Sequence, residues 1–190
     1  MSVGAKAHAL AARRDDLYET PPEAVHALLK VERLPLRIWE PACGPGSIVG
    51  VLRDAGHIVR ATDLVAYGCP DSEPGVDFLM EWSAPPGVEA IVTNPPFKLA
   101  AEFIEHGLTL CPLVIVLVRL GFLESTRRSK ILDGGQLARV HVFRNRLPRM
   151  HRSGWSGPTA SSSIAFAWFA FDRDHHGATV IDRISWEVRQ

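Results

Sequence analysis

The sequence has 190 residues, of which 46% are hydrophobic and 22% charged, and 21 basic residues balance 21 acidic ones. This length suits one domain, and this composition is typical of a globular chain with a hydrophobic core rather than a disordered chain. The longest apolar run, 113–118, is far shorter than the roughly 20 residues of a membrane-spanning helix. Three widely spaced cysteines without a C-x-x-C pair argue against a disulfide framework or a zinc site. With no apolar signal segment at the start, we expect a cytoplasmic protein with neither membrane segment nor metal.

The charges are unevenly distributed along the chain. Eight acids and one base, Lys98, lie between Asp63 and Glu105, whereas nine bases and two acids lie between Arg119 and Arg152. This asymmetry fits a protein that holds a cationic ligand on one side and contacts a polyanion on the other. Two solvated faces of opposite charge are the alternative interpretation.

The predicted elements begin after a small, polar arm at 1–16, and residues 17–190 are expected to form one domain. Thr20-Pro21-Pro22-Glu23 predicts the start of a helix, with Thr20 as the N-cap of a capping box. Apolar strands and helices then alternate. The predicted strands are 37–40, 57–63, 89–93 and 113–118, and the predicted helices between them are 47–55 and 99–110. Strands this apolar favour a parallel sheet with helices on both faces.

Three further strands, 138–143, 163–171 and 180–186, are predicted without intervening helices. They indicate an antiparallel extension of the sheet. The expected fold is therefore α/β, with a mostly parallel seven-stranded sheet and an antiparallel C-terminal hairpin.

A glycine-containing turn follows the first predicted strand. In open α/β sheets ligands bind beyond the strand ends, where Gly44 and Gly46 would let the backbone approach them. Asp63 ends the next strand, where its carboxylate can accept hydrogen bonds from two ribose hydroxyls. A G-x-G-x-x-G dinucleotide motif is excluded because Val49 occupies its last position. Nucleoside binding and a simple strand-terminating turn both remain open at this point.

The segment Thr93-Asn94-Pro95-Pro96-Phe97 carries the most specific chemistry. Two successive prolines remove two backbone N–H donors and hold the preceding residues extended. Carbonyl oxygens and the Asn94 amide oxygen then remain as acceptors, with the flat ring of Phe97 beside them. Such a set suits an amino group on a planar base or amide, which brings its own donors. A proline-terminated strand with a buried phenylalanine is the alternative.

Four segments, 18–22, 40–46, 77–79 and 94–97, together resemble the class I S-adenosylmethionine-dependent methyltransferases. The resemblance is to amino-methyltransferases with an N-P-P-[YF] signature, best represented by the DNA adenine-N6 methyltransferases. It implies a Rossmann-like fold, S-adenosyl-L-methionine as cofactor and S-adenosyl-L-homocysteine as product. It also implies methyl transfer to an exocyclic amino nitrogen, adenine N6 in DNA being the expected target.

The resemblance assigns roles to individual residues. For the cofactor, it implies contacts from Thr20 and Glu40 at the methionine end, Ala42, Gly44 and Gly46 in the turn, Asp63 at the ribose, Asp77 and Phe78 at the adenine, and Asn94. For catalysis, it implies that Asn94, Pro95 and Pro96 form the turn that holds the target amino group, while Phe97 stacks on the base.

Basic residues after the predicted core strands are candidates for nucleic-acid contact. We expect such contacts from Arg119, Arg144, Arg146, Arg149, Arg152 and Trp155. An ordinary β-hairpin loop is the alternative for 144–155. Relatives of this type usually carry a sizeable C-terminal recognition domain. Target recognition is therefore expected to be minimal, to be supplied by a protein partner, or to be made by the stretch 139–163 of this chain. Three other functions stay open: methylation of ribosomal RNA, methylation of a protein glutamine, and non-catalytic nucleic-acid binding.

Overall fold

The computed structural model describes residues 18–148 and 164–187, so the predicted arm at 1–16 lies outside the described residues. The helices are α1 (Pro22–Leu29), α2 (Ser47–Asp54), α3 (Ala100–Leu110) and α4 (Ser129–Leu132). The strands are β1 (Arg37–Glu40), β2 (Ile58–Asp63), β3 (Glu73–Pro74), β4 (Ala90–Thr93), β5 (Leu113–Arg119), β6 (Leu137–Phe143), β7 (Phe166–Asp172) and β8 (Val180–Ile184). Short 3-10 turns occupy Phe78–Met80, Phe97–Leu99, Leu120–Leu123 and Thr126–Arg128.

The described strands form one sheet in the order β3-β2-β1-β4-β5-β7-β6-β8. The first five in this order are mutually parallel, and β7 is antiparallel to both β5 and β6. The mostly parallel sheet and the antiparallel β6–β7 hairpin are confirmed. The sheet has eight strands rather than seven, because the two-residue β3 pairs with the end of β2. The tail is also not wholly antiparallel, since β8 lies beyond β6 and runs parallel to it.

Helices cover both faces of the sheet, as predicted. Leu28 of α1 and Leu52 of α2 pack with Ile38 and Trp168 on one face. The indole of Trp168 also donates a 2.9 Å hydrogen bond to the carbonyl of Ala24, which fixes α1 against β7. The other face packs against α3 and the short α4.

A close approach of α3 to the sheet depends on Gly107. A Cβ at this position would lie 3.0 Å from a methyl carbon of Val114 and 3.3 Å from Ile91. The missing side chain therefore lets α3 pack directly on β4 and β5, and so positions the turn that precedes α3.

A buried ion cluster joins the end of α1 to β6. The Glu32 carboxylate accepts hydrogen bonds from Arg139 Nε (2.5 Å), Arg139 Nη2 (3.1 Å) and His141 Nε2 (2.7 Å). Burial alone would raise the pKa of Glu32, but the hydrogen bonds from His141 and Arg139 outweigh it and lower the pKa below its usual value. This cluster connects the end of the first helix to strand β6, more than 100 residues later in the sequence.

Candidate active site

A cleft of about 410 Å³ opens at the edge of the sheet where β1, β2 and β4 end. The strand order reverses between β1 and β4, and open α/β sheets bind ligands at such a reversal. The cleft is lined by four segments: Tyr18, Glu19 and Thr20; Ala42, Cys43, Gly44, Pro45, Ser47 and Ile48; Asp63, Leu64, Val65 and Tyr67; and Asn94, Pro96, Lys98 and Leu99. The structure therefore brings together three of the four motif segments singled out in the sequence.

The turn after β1 needs its glycines for conformation and space. Gly44 and Gly46 have φ values of +53° and +98°, which residues other than glycine rarely adopt. A Cβ on Gly46 would also lie 2.8 Å from the sulfur of Cys69. The turn therefore brings backbone without side chains to the wall of the cleft.

Asp63 fastens this turn to the end of β2. Its Oδ2 accepts a 2.9 Å hydrogen bond from the backbone N–H of Gly44, and its Oδ1 accepts one of 3.1 Å from Val65. Each carboxylate oxygen has a second lone pair, so Asp63 can still accept ligand hydroxyls. The sequence indicated the ligand role but gave no sign of this structural one.

Glu40 is fully buried at the end of β1, directly before the turn. Its Oε1 accepts a 3.3 Å hydrogen bond from the N–H of Ala42, which lines the cleft. Its Oε2 is buried and accepts no hydrogen bond of normal geometry within 18–148 and 164–187. Burial raises the pKa of this carboxyl to about 8, outweighing the neighbouring Thr93 hydroxyl and the Ala42 N–H, which both lower it. A buried carboxyl with an unused oxygen beside a cleft is suited to pairing with a cationic ligand group.

The Asn94 amide is held in one orientation by the segment before α1. Its Nδ2 donates 3.1 Å hydrogen bonds to the backbone carbonyl of Tyr18 and to the hydroxyl of Thr20. A backbone carbonyl can only accept, so Nδ2 must face Tyr18 and Oδ1 must face away. This Oδ1 is buried and has no hydrogen-bond partner among the described residues.

This arrangement corrects the predicted role of Thr20 as a helix cap. Helix α1 begins at Pro22 with Pro21 as its N-cap, and no side chain caps it. The two prolines need no N–H partners, so the Thr20 hydroxyl is available to bond Asn94 instead.

Within the described chain, Phe97 has two aromatic neighbours and a cationic one. The ring of Tyr18 stacks on it with centroids 5.6 Å apart and planes at 22°. The ring of Phe166 is tilted against Phe97, with centroids 5.9 Å apart and planes at 39°. The guanidinium carbon of Arg119, at the end of β5, lies 4.6 Å from the Phe97 ring centroid. Arg119 therefore lies at the turn that carries Asn94, and its predicted contact with nucleic acid stays a prediction.

Asp77 and Phe78 are not brought to the cleft. Asp77 is exposed, and its Oδ1 accepts a 3.1 Å hydrogen bond from the N–H of Leu79, capping the following 3-10 turn. The Phe78 ring is 2% exposed and packs against Trp39, Phe103 and His106. The adenine contact predicted for this pair therefore has no support in the geometry.

The wall beyond Asp63 is formed instead by Leu64, Val65 and Tyr67, which belong to none of the motifs found in the sequence. The sequence gives only a weak indication that these residues face a ligand. Leu64 and Val65 are apolar residues placed directly after a strand-ending acid, and they are 61% and 42% exposed.

Two further predicted contact residues, Arg144 and Arg146, are exposed just after β6. Because β6 runs in the same direction as β5, these residues and Arg119 lie at the same edge of the sheet. Arg144 Nε donates a 3.1 Å hydrogen bond to the carbonyl of Arg183. Arg149, Arg152 and Trp155 lie outside the described residues.

In the described part of the chain, no cluster of three or more His, Cys, Asp or Glu side chains could hold a metal ion. None of the helices there has the length and apolar character needed to cross a membrane.

The sequence matches no protein-family model and no curated protein. Solved structures do match. A protein assigned as the modification subunit of a type I restriction enzyme from Vibrio vulnificus YJ016 has a TM-score of 0.58 at 15% identity over 97% of this chain. This chain spans only 51% of that protein's length.

Two other solved structures also align with most of this chain. A dimethyladenosine transferase from Plasmodium falciparum has a TM-score of 0.54 at 14% identity, covering 82% of this chain and 62% of its own. A SAM-dependent O-methyltransferase from Thermotoga maritima has a TM-score of 0.55 at 11% identity, covering 90% and 72%. With this sheet order and these neighbours, the chain has the Rossmann-like fold of the class I S-adenosylmethionine-dependent methyltransferases.

Proposed function

We propose that this protein transfers the methyl group of S-adenosyl-L-methionine to an exocyclic amino nitrogen of a nucleic-acid base, adenine N6 in DNA. The observation that carries the proposal is the Asn94 amide. Its nitrogen is occupied by Tyr18 and Thr20, and its oxygen is left unused beside the cleft. An oriented acceptor with no internal donor suits a substrate that supplies N–H groups.

The residues around the cleft fit the cofactor. When bound, S-adenosyl-L-methionine supplies an electrophilic methyl group on a cationic sulfonium. The unused Oε2 of Glu40 suits its ammonium group, and the backbone of Gly44 and Gly46 allows close approach. Asp63 retains the acceptor capacity for ribose hydroxyls. Leu64 and Tyr67 offer an apolar wall for the adenine, in place of Phe78.

Asn94 would act by holding the target nitrogen. Its Oδ1 accepts one N–H of the amino group, and the carbonyl of Pro95 offers a second acceptor. These bonds keep the nitrogen lone pair out of conjugation with the base, so it can attack the methyl carbon as the carbon–sulfur bond breaks. The nitrogen then loses a proton to solvent. The catalytic contribution is positioning and acceptor hydrogen bonding.

A covalent route through Cys43 is disfavoured. Burial raises the pKa of this thiol, which holds it in its protonated and poorly nucleophilic form. The thiol also faces the carbonyl of Gly44 at 3.7 Å, and we find no role for it in transfer.

Nucleic acid is the substrate class that the charges favour. Arg119 lies on Phe97, Lys98 lines the cleft, and Arg144 and Arg146 are exposed at the same sheet edge. Cations in this arrangement can neutralise phosphates around a base held at Phe97. In a duplex that base must leave the stack to reach Asn94. Two structural neighbours are a modification subunit and a dimethyladenosine transferase, which is consistent with a nucleic-acid substrate.

The proposal is tested by supplying isotopically labelled S-adenosyl-L-methionine with unmethylated DNA, single- and double-stranded, and with total RNA. The products are digested to nucleosides and analysed by mass spectrometry. Label in N6-methyladenine of DNA supports the proposal. Label only in RNA overturns the DNA assignment and retains the reaction. No label in any nucleic acid, with cofactor binding demonstrated by calorimetry, overturns nucleic acid as the substrate.

A further inference from the structure

The aromatic face of Phe97 is already occupied within the chain. The Tyr18 ring stacks on it with a centroid distance of 5.6 Å and near-parallel planes. A planar base would use the same kind of contact, with its ring against an aromatic ring. The stacked pair therefore occupies a position that the proposed function requires for the substrate.

The same residue closes off Asn94. The backbone carbonyl of Tyr18 accepts a hydrogen bond from Asn94 Nδ2, so Tyr18 lies directly beside this amide. Tyr18 also lines the cleft, and the amide oxygen is inaccessible to solvent in this arrangement. A target amino group can reach that oxygen only after neighbouring side chains move.

We propose that Tyr18 is an internal occupant of the target-base site, stacked on Phe97 in place of the base and displaced when the base binds. This inference rests on the proposed function. The backbone and the ring of Tyr18 have separate roles, because its carbonyl orients Asn94 and its ring covers Phe97. Removing the ring should therefore leave the orientation of Asn94 intact.

Displacement makes the ring a competitor of the substrate. A protein whose binding-competent state is only partly populated shows a correspondingly weaker apparent affinity. From the typical strength of an aromatic pair, loss of the ring should strengthen apparent substrate binding roughly three- to ten-fold. The maximal rate should not change, because the competition ends once the base is bound.

The first experiment is kinetic, with single-stranded (dA)20 as the probe because it presents adenines without base pairing. Tyr18→Ala should lower KM for (dA)20 roughly three- to ten-fold at unchanged kcat. Tyr18→Phe, which keeps the stacked ring, is the matched control and should behave like the wild type. An unchanged or raised KM for Tyr18→Ala, in a variant that binds the cofactor normally by calorimetry, overturns the inference.

A second measurement uses the wild-type ring directly and does not depend on Tyr18→Ala folding. The chain has two tyrosines, so 3-fluorotyrosine labelling gives two fluorine resonances, and Tyr18→Phe assigns one of them. Saturation with (dA)20 should shift the Tyr18 resonance, and a resonance that stays in place overturns the inference. If the wild type methylates no nucleic acid, the proposed function itself fails. Methylation with an unmoved Tyr18 refutes only the present inference.

Discussion

Two glutamates are buried in the part of the chain that the structure describes, and their surroundings differ. Glu32 is 8% exposed, and its carboxylate accepts three hydrogen bonds from Arg139 and His141. Glu40 is fully buried, yet it accepts one bond from a backbone N–H and has one oxygen unused. The pKa of Glu32 is lowered, whereas burial raises that of Glu40 to about 8.

The difference separates a structural carboxylate from one available to a ligand. Buried polar atoms are nearly always hydrogen-bonded, so a carboxyl whose partners lie within the chain has a structural role. Since an ionised Glu32 can only accept, His141 Nε2 must donate to it. By contrast, Asn94 lines a cleft large enough for a ligand, and Glu40 lies behind its wall, directly before the turn whose Ala42 lines the cleft. An unpartnered buried atom alone does not indicate a ligand site, because His141 Nδ1 also lacks a partner in the described chain. What distinguishes the unpartnered atoms of Glu40 and Asn94 is their position near the cleft.

The largest effect is expected from breaking the structural cluster. Glu32→Ala leaves Arg139 and His141 without their partner, and removing one member of a buried ion pair typically costs about 3–5 kcal/mol. Urea denaturation at pH 7 measures this loss. Glu32→Gln keeps the size and one acceptor oxygen, so its loss should be smaller. A loss below about 1 kcal/mol for Glu32→Ala would show that the cluster does not hold β6 to α1.

The next effect concerns Asn94. Asn94→Ala removes the acceptor proposed for the target amino group, and losing one such oriented group typically lowers kcat by about 10²–10³. Cofactor affinity, measured by calorimetry, should stay within about three-fold of wild type. Gln136→Ala, which removes an amide at the start of β6, is the matched control and should leave the rate unchanged. If Asn94→Ala abolishes cofactor binding instead, the residue belongs to the cofactor site rather than the target site.

Protonation of Glu40 should couple to cofactor binding. With a pKa of about 8, the carboxyl is mostly protonated at pH 6–7 and must release its proton to pair with a ligand ammonium. Affinity for S-adenosyl-L-methionine should therefore rise up to about tenfold per pH unit from pH 6 toward 8. Calorimetry in buffers of different ionisation enthalpy measures the released proton. Glu40→Gln should show neither the release nor the pH dependence, and a wild type that releases no proton would remove Glu40 from the cofactor site.

The sequence predicted the individual elements well. Apolar segments bounded by turn residues located β1, β4 and β5 within a residue or so, and glycine spacing located the turn before α2. Strands and turns of this kind depend on residues that are close in sequence, so a local sequence pattern predicts them. The pair β2–β3 was missed because β3 has two residues, and so short a strand leaves no hydrophobic alternation to detect.

The contacts that define the site were not predictable in the same way. The bond between Asn94 and Tyr18 joins residues 76 positions apart, and Glu32 and His141 are 109 positions apart. The sequence identified Asn94 and Glu40 through a family resemblance, but not which of their atoms would be left unused. It also could not separate Glu32 from the exposed glutamates, because its partners become neighbours only when β6 joins the sheet. Phe78 differs from these residues because its motif match predicted a ligand contact that the geometry does not support. The hydrophobic ring is instead buried in the core.

The effect that is smallest per pH unit is the most direct contrast between the two glutamates, because their pH dependences of stability should have opposite signs. Glu40 binds its proton more tightly in the folded state, so stability should fall by about 1 kcal/mol per pH unit as pH rises from about 5 to 8. Glu32 binds its proton more weakly in the folded state. Its contribution is therefore present above the unfolded value of 4.5 and is lost as pH falls through the lowered folded pKa. Urea denaturation of wild type, Glu40→Gln and Glu32→Gln from about pH 2.5 to about pH 8.5 separates the two. Glu40→Gln should abolish only the alkaline loss and Glu32→Gln only the acidic one. If both variants flatten the same side of the profile, the two carboxyls do not differ as their hydrogen bonds indicate.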